Sequence, residues 1–137
     1  MQVSDSCRRE IEALHEFFVE WYAGQLDRDG FDRMADAIAP GFEMVTPDGD
    51  RLDREAVLTM VREAHGRDEP GSFDIEIRNV TVRARMGDHV LVRYEEWQTK
   101  PGGDTGRLST ALFREEASAP GEFHWLDLHE TWIDQEV

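Results

Sequence analysis

Residues 71–99 read GSFDIEIRNVTVRARMGDHVLVRYEEWQT, and they decide the fold. Before Gly71, apolar residues recur every three or four positions. After it, they alternate. Phe73, Ile75 and Ile77 alternate with Asp74, Glu76 and Arg78, the period-two pattern of a half-buried strand. Past Asn79 the apolar parity moves to Val80, Val82 and Ala84, which predicts an inserted residue, a bulge, near Asn79. Met86-Gly87-Asp88 makes a tight turn into a second strand over 89–99. The alternation returns over 107–116 and 123–133, after loops at 100–106 and 117–122. The C-terminal half is therefore expected to be a meander of four long antiparallel strands.

Upstream the period is helical. Over 8–26, Ile11, Leu14, Phe17, Phe18, Trp21 and Tyr22 form one apolar stripe, with Glu10, Glu12, Glu16 and Glu20 on the remaining face. Ser4 or Ser6 is placed to cap its start and Gly24 to end it. A shorter helix carries Phe31, Met34, Ala35 and Ile38, with Asp29 as cap and Pro40-Gly41 as stop. Residues 42–45 read as a short strand, 46–49 as a turn, and Arg51-Leu52 as a stub that pairs back. A third helix starts at Asp53, with Ala56, Val57, Met60, Val61 and Ala64 as its stripe. Helices segregated from an antiparallel sheet define an α+β class. The expectation is a single domain over 1–137: three N-terminal helices packed on a strongly bent antiparallel sheet, a cone with a central cavity.

Charge narrows the function. The chain has 30 acidic residues against 15 basic ones, a formal net charge of −15, and Lys100 is its only lysine. Such a surface repels nucleic acid and anionic lipid, so neither is an expected partner. The excess of carboxylates fits either an arginine-rich, high-GC genome or adaptation to high salt. No apolar run approaches the ~20 residues that cross a bilayer. The N-terminus lacks the pattern of a signal peptide, and Cys7 is the single cysteine, so a reducing, cytoplasmic setting is expected.

Three stretches carry a family resemblance: FDRMADAIAPGF at 31–42, TPDGDRLDREA at 46–56 and WLDLHETW at 125–132. In this order and spacing they resemble the nuclear transport factor 2-like superfamily, with its cystatin-like cone. The last stretch is similar to the closing strand of the SnoaL-like and kinase-association branches. The resemblance spans 8–133. It implies a fold shared by ketosteroid isomerases, scytalone dehydratases, epoxide hydrolases, polyketide cyclases and modules that only assemble partners. Neither the isomerase set of a tyrosine and two aspartates nor the dehydratase His-Asp pairs match residue by residue, so no catalytic role transfers.

The residues themselves nominate a site. Val90, Val92, Tyr94, Glu96 and Gln98 share one strand face, and Leu126, Leu128, Glu130 and Trp132 share another. Leu108, Thr110 and Leu112 are read as the helix-facing set of the strand between them. Glu130 and Glu96 thus project from mostly apolar faces, where burial raises a carboxyl's pKa toward the range of a general acid or base. The alternative is that both are ordinary hydrogen-bonded or interface groups. His129, beside Asp127 on the opposite face, is a third catalytic candidate or a dimer-interface residue. His15, Tyr22, Phe42, Tyr94, Trp97 and Trp132 are the candidate ligand-binding residues, for a small apolar or aromatic molecule.

No metal or cofactor is expected. His124 and His129 fall on opposite strand faces, and the glycine-rich run 102–106 joins two strands where a phosphate loop would open a helix. Two function classes stay open: a cofactor-free isomerase, dehydratase or cyclase, and a non-catalytic binding or assembly module. Trp97, Phe113 and Trp125 are read as lying opposite Tyr94, Leu112 and Leu126, so both sheet faces carry large apolar groups. Three helices cover one face, and a homodimer through the other is expected.

Overall fold

The computed structural model describes residues 2–133. A long helix, α1 (Val3–Tyr22), leads through a 3₁₀ turn (Arg28–Phe31) to a single helical turn, α2 (Asp32–Ala35). Strands β1 (Ile38–Val45) and β2 (Arg51–Asp53) precede α3 (Arg54–Glu63). Four long strands follow: β3 (Asp74–Met86), β4 (His89–Thr99), β5 (Thr105–Glu115) and β6 (Phe123–Trp132). They form a six-stranded sheet in the order β2-β1-β6-β5-β4-β3. The architecture is the α+β cone, with the helices on one face of the sheet.

Pairing is antiparallel throughout the sheet except between β1 and β6, which run parallel with Ile38 opposite Trp125 and Val45 opposite His129. The C-terminal meander thereby reaches back to the segment between α2 and α3 and closes the cone.

The bulge expected near Asn79 is present: the β3–β4 register shifts between Arg78 and Thr81, and Asn79 has φ of 57°. A second irregularity decides the site. Leu112 of β5 faces Asp127, but its neighbour Phe113 faces Trp125, so Leu126 is an extra residue in β6. One inserted residue reverses the faces. Phe123 and Trp125 are buried before the bulge, and Glu130 is buried after it. The core-facing residues of β5 are Ser109, Ala111 and Phe113, buried opposite Tyr94, Val92 and Val90 of β4. This corrects the sequence reading, which turned Leu108, Thr110 and Leu112 toward the helices and placed Phe113 and Trp125 opposite Tyr94.

The helices also depart from their expected limits. α1 begins at Val3, with Gln2 and neither Ser4 nor Ser6 as its N-cap, while Gly24, at φ 71°, ends it as expected. Glu10 leaves the expected solvent face. It is buried, accepting hydrogen bonds from Trp125 Nε1 at 3.0 Å and Arg33 Nη2 at 2.6 Å. Pro40-Gly41 does not stop the second helix but lies inside β1, at the point where its register against β6 shifts. The helix ends earlier, at Ala35, and the carbonyls of Ala35, Ala37 and Ile38 find partners outside it. Arg54 donates from Nη2 to the Ala35 carbonyl and from Nε to that of Ile38, while Trp125 N donates to the Ala37 carbonyl. Asp53 caps α3 by accepting from Ala56 N, as its position before the apolar stripe suggests. Val57, Leu58 and Val61 are the buried residues of that helix.

Candidate functional site

The cone encloses a cavity of about 310 Å³, at the small end of ligand-binding cavities. Leu14, Ile38, Phe42, Val57 and Leu128 are among its apolar lining, and His15, Glu96, Gln98, Arg107 and Glu130 are polar groups reaching it. Met60, Arg67 and Lys100 line it too. Met60 is about half exposed and so is the Arg67 side chain, which marks their side as the mouth.

Each deep polar group is placed by its strand or helix. The i+4 spacing on α1 points the His15 Nδ1 at the carbonyl of Ile11, 2.7 Å away. Its Nε2 lies 3.0 Å from Glu96 Oε1 on β4. Both ring nitrogens thus face oxygen acceptors, an arrangement that suits the doubly protonated imidazolium. Burial alone would depress the His15 pKa, but the charge and hydrogen bond of Glu96 outweigh it, aided by the Ile11 carbonyl, and leave it raised. Burial likewise works to raise Glu96. His15, then Arg107 and the 2.6 Å hydrogen bond from Gln98 Nε2 reverse that and hold Glu96 below the usual carboxylate range.

Glu130 has the opposite fate. Burial and the neighbouring Glu96 carboxylate lift its pKa, and Arg107 and Ser109 pull it down without cancelling the rise. Arg107 Nη1 donates to Oε1 at 3.2 Å and Ser109 Oγ to Oε2 at 2.7 Å. These contacts follow from register: Arg107 is the cross-strand neighbour of Glu96, and Ser109 of Glu130. His15, Glu96 and Glu130 are 5%, 6% and 3% exposed. Two buried carboxylates at one cavity, one kept ionised by a histidine and the other pushed toward its neutral form, can divide acid and base roles between them.

Of the nominated residues, the cavity brings together Glu130, Glu96, His15, Tyr22 and Phe42. Four others lie elsewhere. Tyr94 is fully buried beside Ser109, outside the lining. Trp97 lies on the outer sheet face, donating from Nε1 to Glu95 and crossing Gly106. His129 is exposed, one residue out of phase with Glu130. Trp132 is 40% exposed near the end of β6, donating to Asp48 Oδ1 under the Arg107 guanidinium. The expectation that Tyr94, Trp97 and Trp132 line the cavity is therefore corrected. Trp97 and His129 are on the wrong parity, Tyr94 is covered by its neighbours, and Trp132 lies past the enclosed part of the strand.

Sequence reasoning missed Arg107, Ser109, Gln98, Arg67 and Lys100 as lining or hydrogen-bonding partners. The signal for Arg107 was available. Folding the β4–β5 hairpin about its glycine-rich loop sets Glu96 across from it.

Among the described residues, no His, Cys, Asp and Glu group is placed to hold a metal ion, and no helix is long and apolar enough to cross a membrane. No curated protein matches the chain. Among solved structures, it is similar to an NTF-2-like protein of unknown function from Pseudomonas aeruginosa. The identity is 32% and the TM-score 0.85, over 94% of this chain and 99% of that one. Two further structures share the fold at lower identity. The S. rosetta CaMKII hub matches at 11% identity and TM-score 0.74, covering 94% of this chain and 95% of the other. An uncharacterized protein with a cystatin-like fold from Caulobacter vibrioides matches at 17% and 0.66, over 95% and 89%. Residues 8–134 match the family model of the sucrose-6-phosphate phosphohydrolase C-terminal region. With the helix-covered cone and its closing strand, these matches make the chain a member of the sucrose-6-phosphate phosphohydrolase C-terminal family, within the NTF2-like superfamily.

Proposed function

We propose that the cavity binds a small apolar or aromatic molecule and that Glu130 moves a proton on it, as a cofactor-free isomerase, dehydratase or cyclase does. The observation that carries this is the opposed pair of carboxyls. Glu96 is committed to His15 and stays charged, while Glu130 is left with a raised pKa at the cavity wall. In an isomerisation, the carboxylate of Glu130 takes a proton as a C–H bond of the ligand breaks, then returns it to another atom of the same molecule. No other reactant is needed. Apolar walls hold the ligand and keep water from competing for the proton.

The test is proton exchange in heavy water with a panel of cyclic ketones and unsaturated carbonyl compounds. Deuterium incorporation by the native protein and a loss of roughly 10²–10⁴-fold in Glu130→Gln support the reading. Equal exchange in both proteins refutes it.

A second reading, an assembly role through the outer sheet face, has its own observation. Leu108 is 36% exposed on a face that carries none of the described helices, and the half-buried pair Leu91 and Leu112 lies on the same face, four residues along β5 from it, beyond Thr110. We infer a homodimer through this face. It is compatible with catalysis, since the cavity opens elsewhere.

A further inference from the structure

The cavity's charge does not match the rest of the molecule. A chain with twice as many acidic as basic residues gathers Arg67, Arg107 and its only lysine, Lys100, around one small space. Two carboxylates, Glu96 and Glu130, share that space, and the first is already paired with His15. Three permanent cations remain, and among the described lining residues Glu130 is the one other carboxylate to balance them. Arg107 gives Nη1 to Glu130, but its buried Nε has no partner among the described residues. Its guanidinium lies over the Trp132 ring and holds a permanent charge at the cavity wall, where an anion is favoured. Arg67 makes only a long 3.5 Å contact with Asp68 and lies over the rings of Tyr22 and Phe73. The cations and Gln98 stand toward the β4–β5 hairpin and the mouth. Phe42, Ile38, Val57 and Leu128 supply apolar wall.

We infer that the ligand is an amphipathic carboxylate: one carboxyl group held by Arg107, Lys100 and Arg67 near the mouth, with an apolar chain or ring extending inward. This rests on the small-molecule reading above and names the class of molecule. A single negative charge is favoured over a phosphate dianion. Glu96 and Glu130 face the same space and repel a second charge, and no helix of eight or more residues starts at the cavity to receive a phosphate. Guanidinium geometry matches a carboxylate.

The experiment is calorimetric titration of the full chain with 3-phenylpropanoate, hexanoate and cinnamate, each beside its uncharged primary amide. The carboxylates should bind at least tenfold more tightly than the amides, with the preference shrinking as salt rises. Lys100→Met, at a half-buried hairpin position outside the hydrogen-bonded core, should keep the melting temperature and lose most of the preference. Arg67→Met should lose part of it. Amides that bind as well as carboxylates, or an unchanged preference in both variants, overturn the carboxylate assignment and leave the small-molecule reading standing. If no member of the panel binds at millimolar concentration, the carboxylate assignment fails, while the heavy-water assay still judges Glu130 with neutral carbonyl compounds.

Discussion

His15 Nε2 and Glu96 Oε1 lie 3.0 Å apart, each on a buried side chain, and 81 residues of chain separate them. The contact joins the long helix to β4, the strand next to the β3 edge, and sets the charge balance of the cavity. Protonated histidine satisfies both acceptors around it. The charged glutamate then raises Glu130.

This pair predicts how stability responds to pH. The His15 pKa is raised above the usual 6.5, so its contribution is complete below that value and is lost as pH climbs through the folded-state pKa. Glu130, also raised, adds to the loss on the alkaline side. Glu96 is held low, so its contribution is present above the usual 4.5 and lost as pH falls through its folded-state value. Melting temperature should therefore fall on both sides of a maximum in the mildly acidic range. In His15→Gln the alkaline-side slope should shrink. Histidine resonances followed by NMR should show His15 titrating above 6.5 in the native protein and lower in Glu96→Gln.

Removing opposite ends of the Arg107–Glu130 pair should have unequal effects. Glu130→Gln keeps acceptors and donors for Ser109 and Arg107 and removes a charge that is costly to bury, so its stability should change by less than about 1.5 kcal/mol. Arg107→Met leaves the carboxylate without its cation and should cost about 3–5 kcal/mol at alkaline pH. The penalty should shrink in acid, where Glu130 takes up a proton. Urea titrations of both variants at two pH values read the difference.

The outer face offers a packing test. A Cβ added at Gly106 would sit 2.5 Å from the Trp97 ring, so Gly106→Ala should displace the indole and cost about 1–3 kcal/mol. Near-ultraviolet circular dichroism should report the altered tryptophan environment. Gly106→Ala in the Trp97→Leu background should cost less.

If Leu91, Leu108 and Leu112 form the dimer interface, a charge among them should break it. Leu108→Asp should weaken association about tenfold or more. Light scattering at micromolar concentration should show a dimer for the native chain and a monomer for the variant. A native monomer removes the assembly reading.

Much of this fold could be read from residue periods. The move from helical spacing to alternation at Gly71 located the sheet, and the parity change at Asn79 located a bulge. The bulge at Leu126 was not readable. Leucine at 126 and 128 preserves apolar alternation straight through it, so nothing in the pattern betrays the extra residue. Glu130 and Glu96 were nominated because a carboxyl amid apolar alternation is a buried carboxyl. Glu10 was missed for the converse reason. Its partners, Arg33 and Trp125, are 23 and 115 residues away and show only when α1 packs on β6. Trp97 and Trp132 were nominated for their size, and an aromatic ring covers a glycine or a salt bridge on the outside as readily as it lines a cavity.

The parallel pairing of β1 with β6 bears on how the molecule is made. Ile38 finds its partner at Trp125, so the early strand cannot be hydrogen-bonded into the sheet until nearly the whole chain exists. During synthesis the meander β3–β5 has only local turns to close and already offers Glu96 to His15 of α1, whereas the bond from Trp125 to Glu10 must wait for β6. Loop closure over such a span makes the last strand the slow, decisive event of folding. A nascent chain halted before Phe123 would leave β1 off the sheet and the Phe113 ring without Phe123 and Trp125, dependent on whatever keeps such surfaces from aggregating.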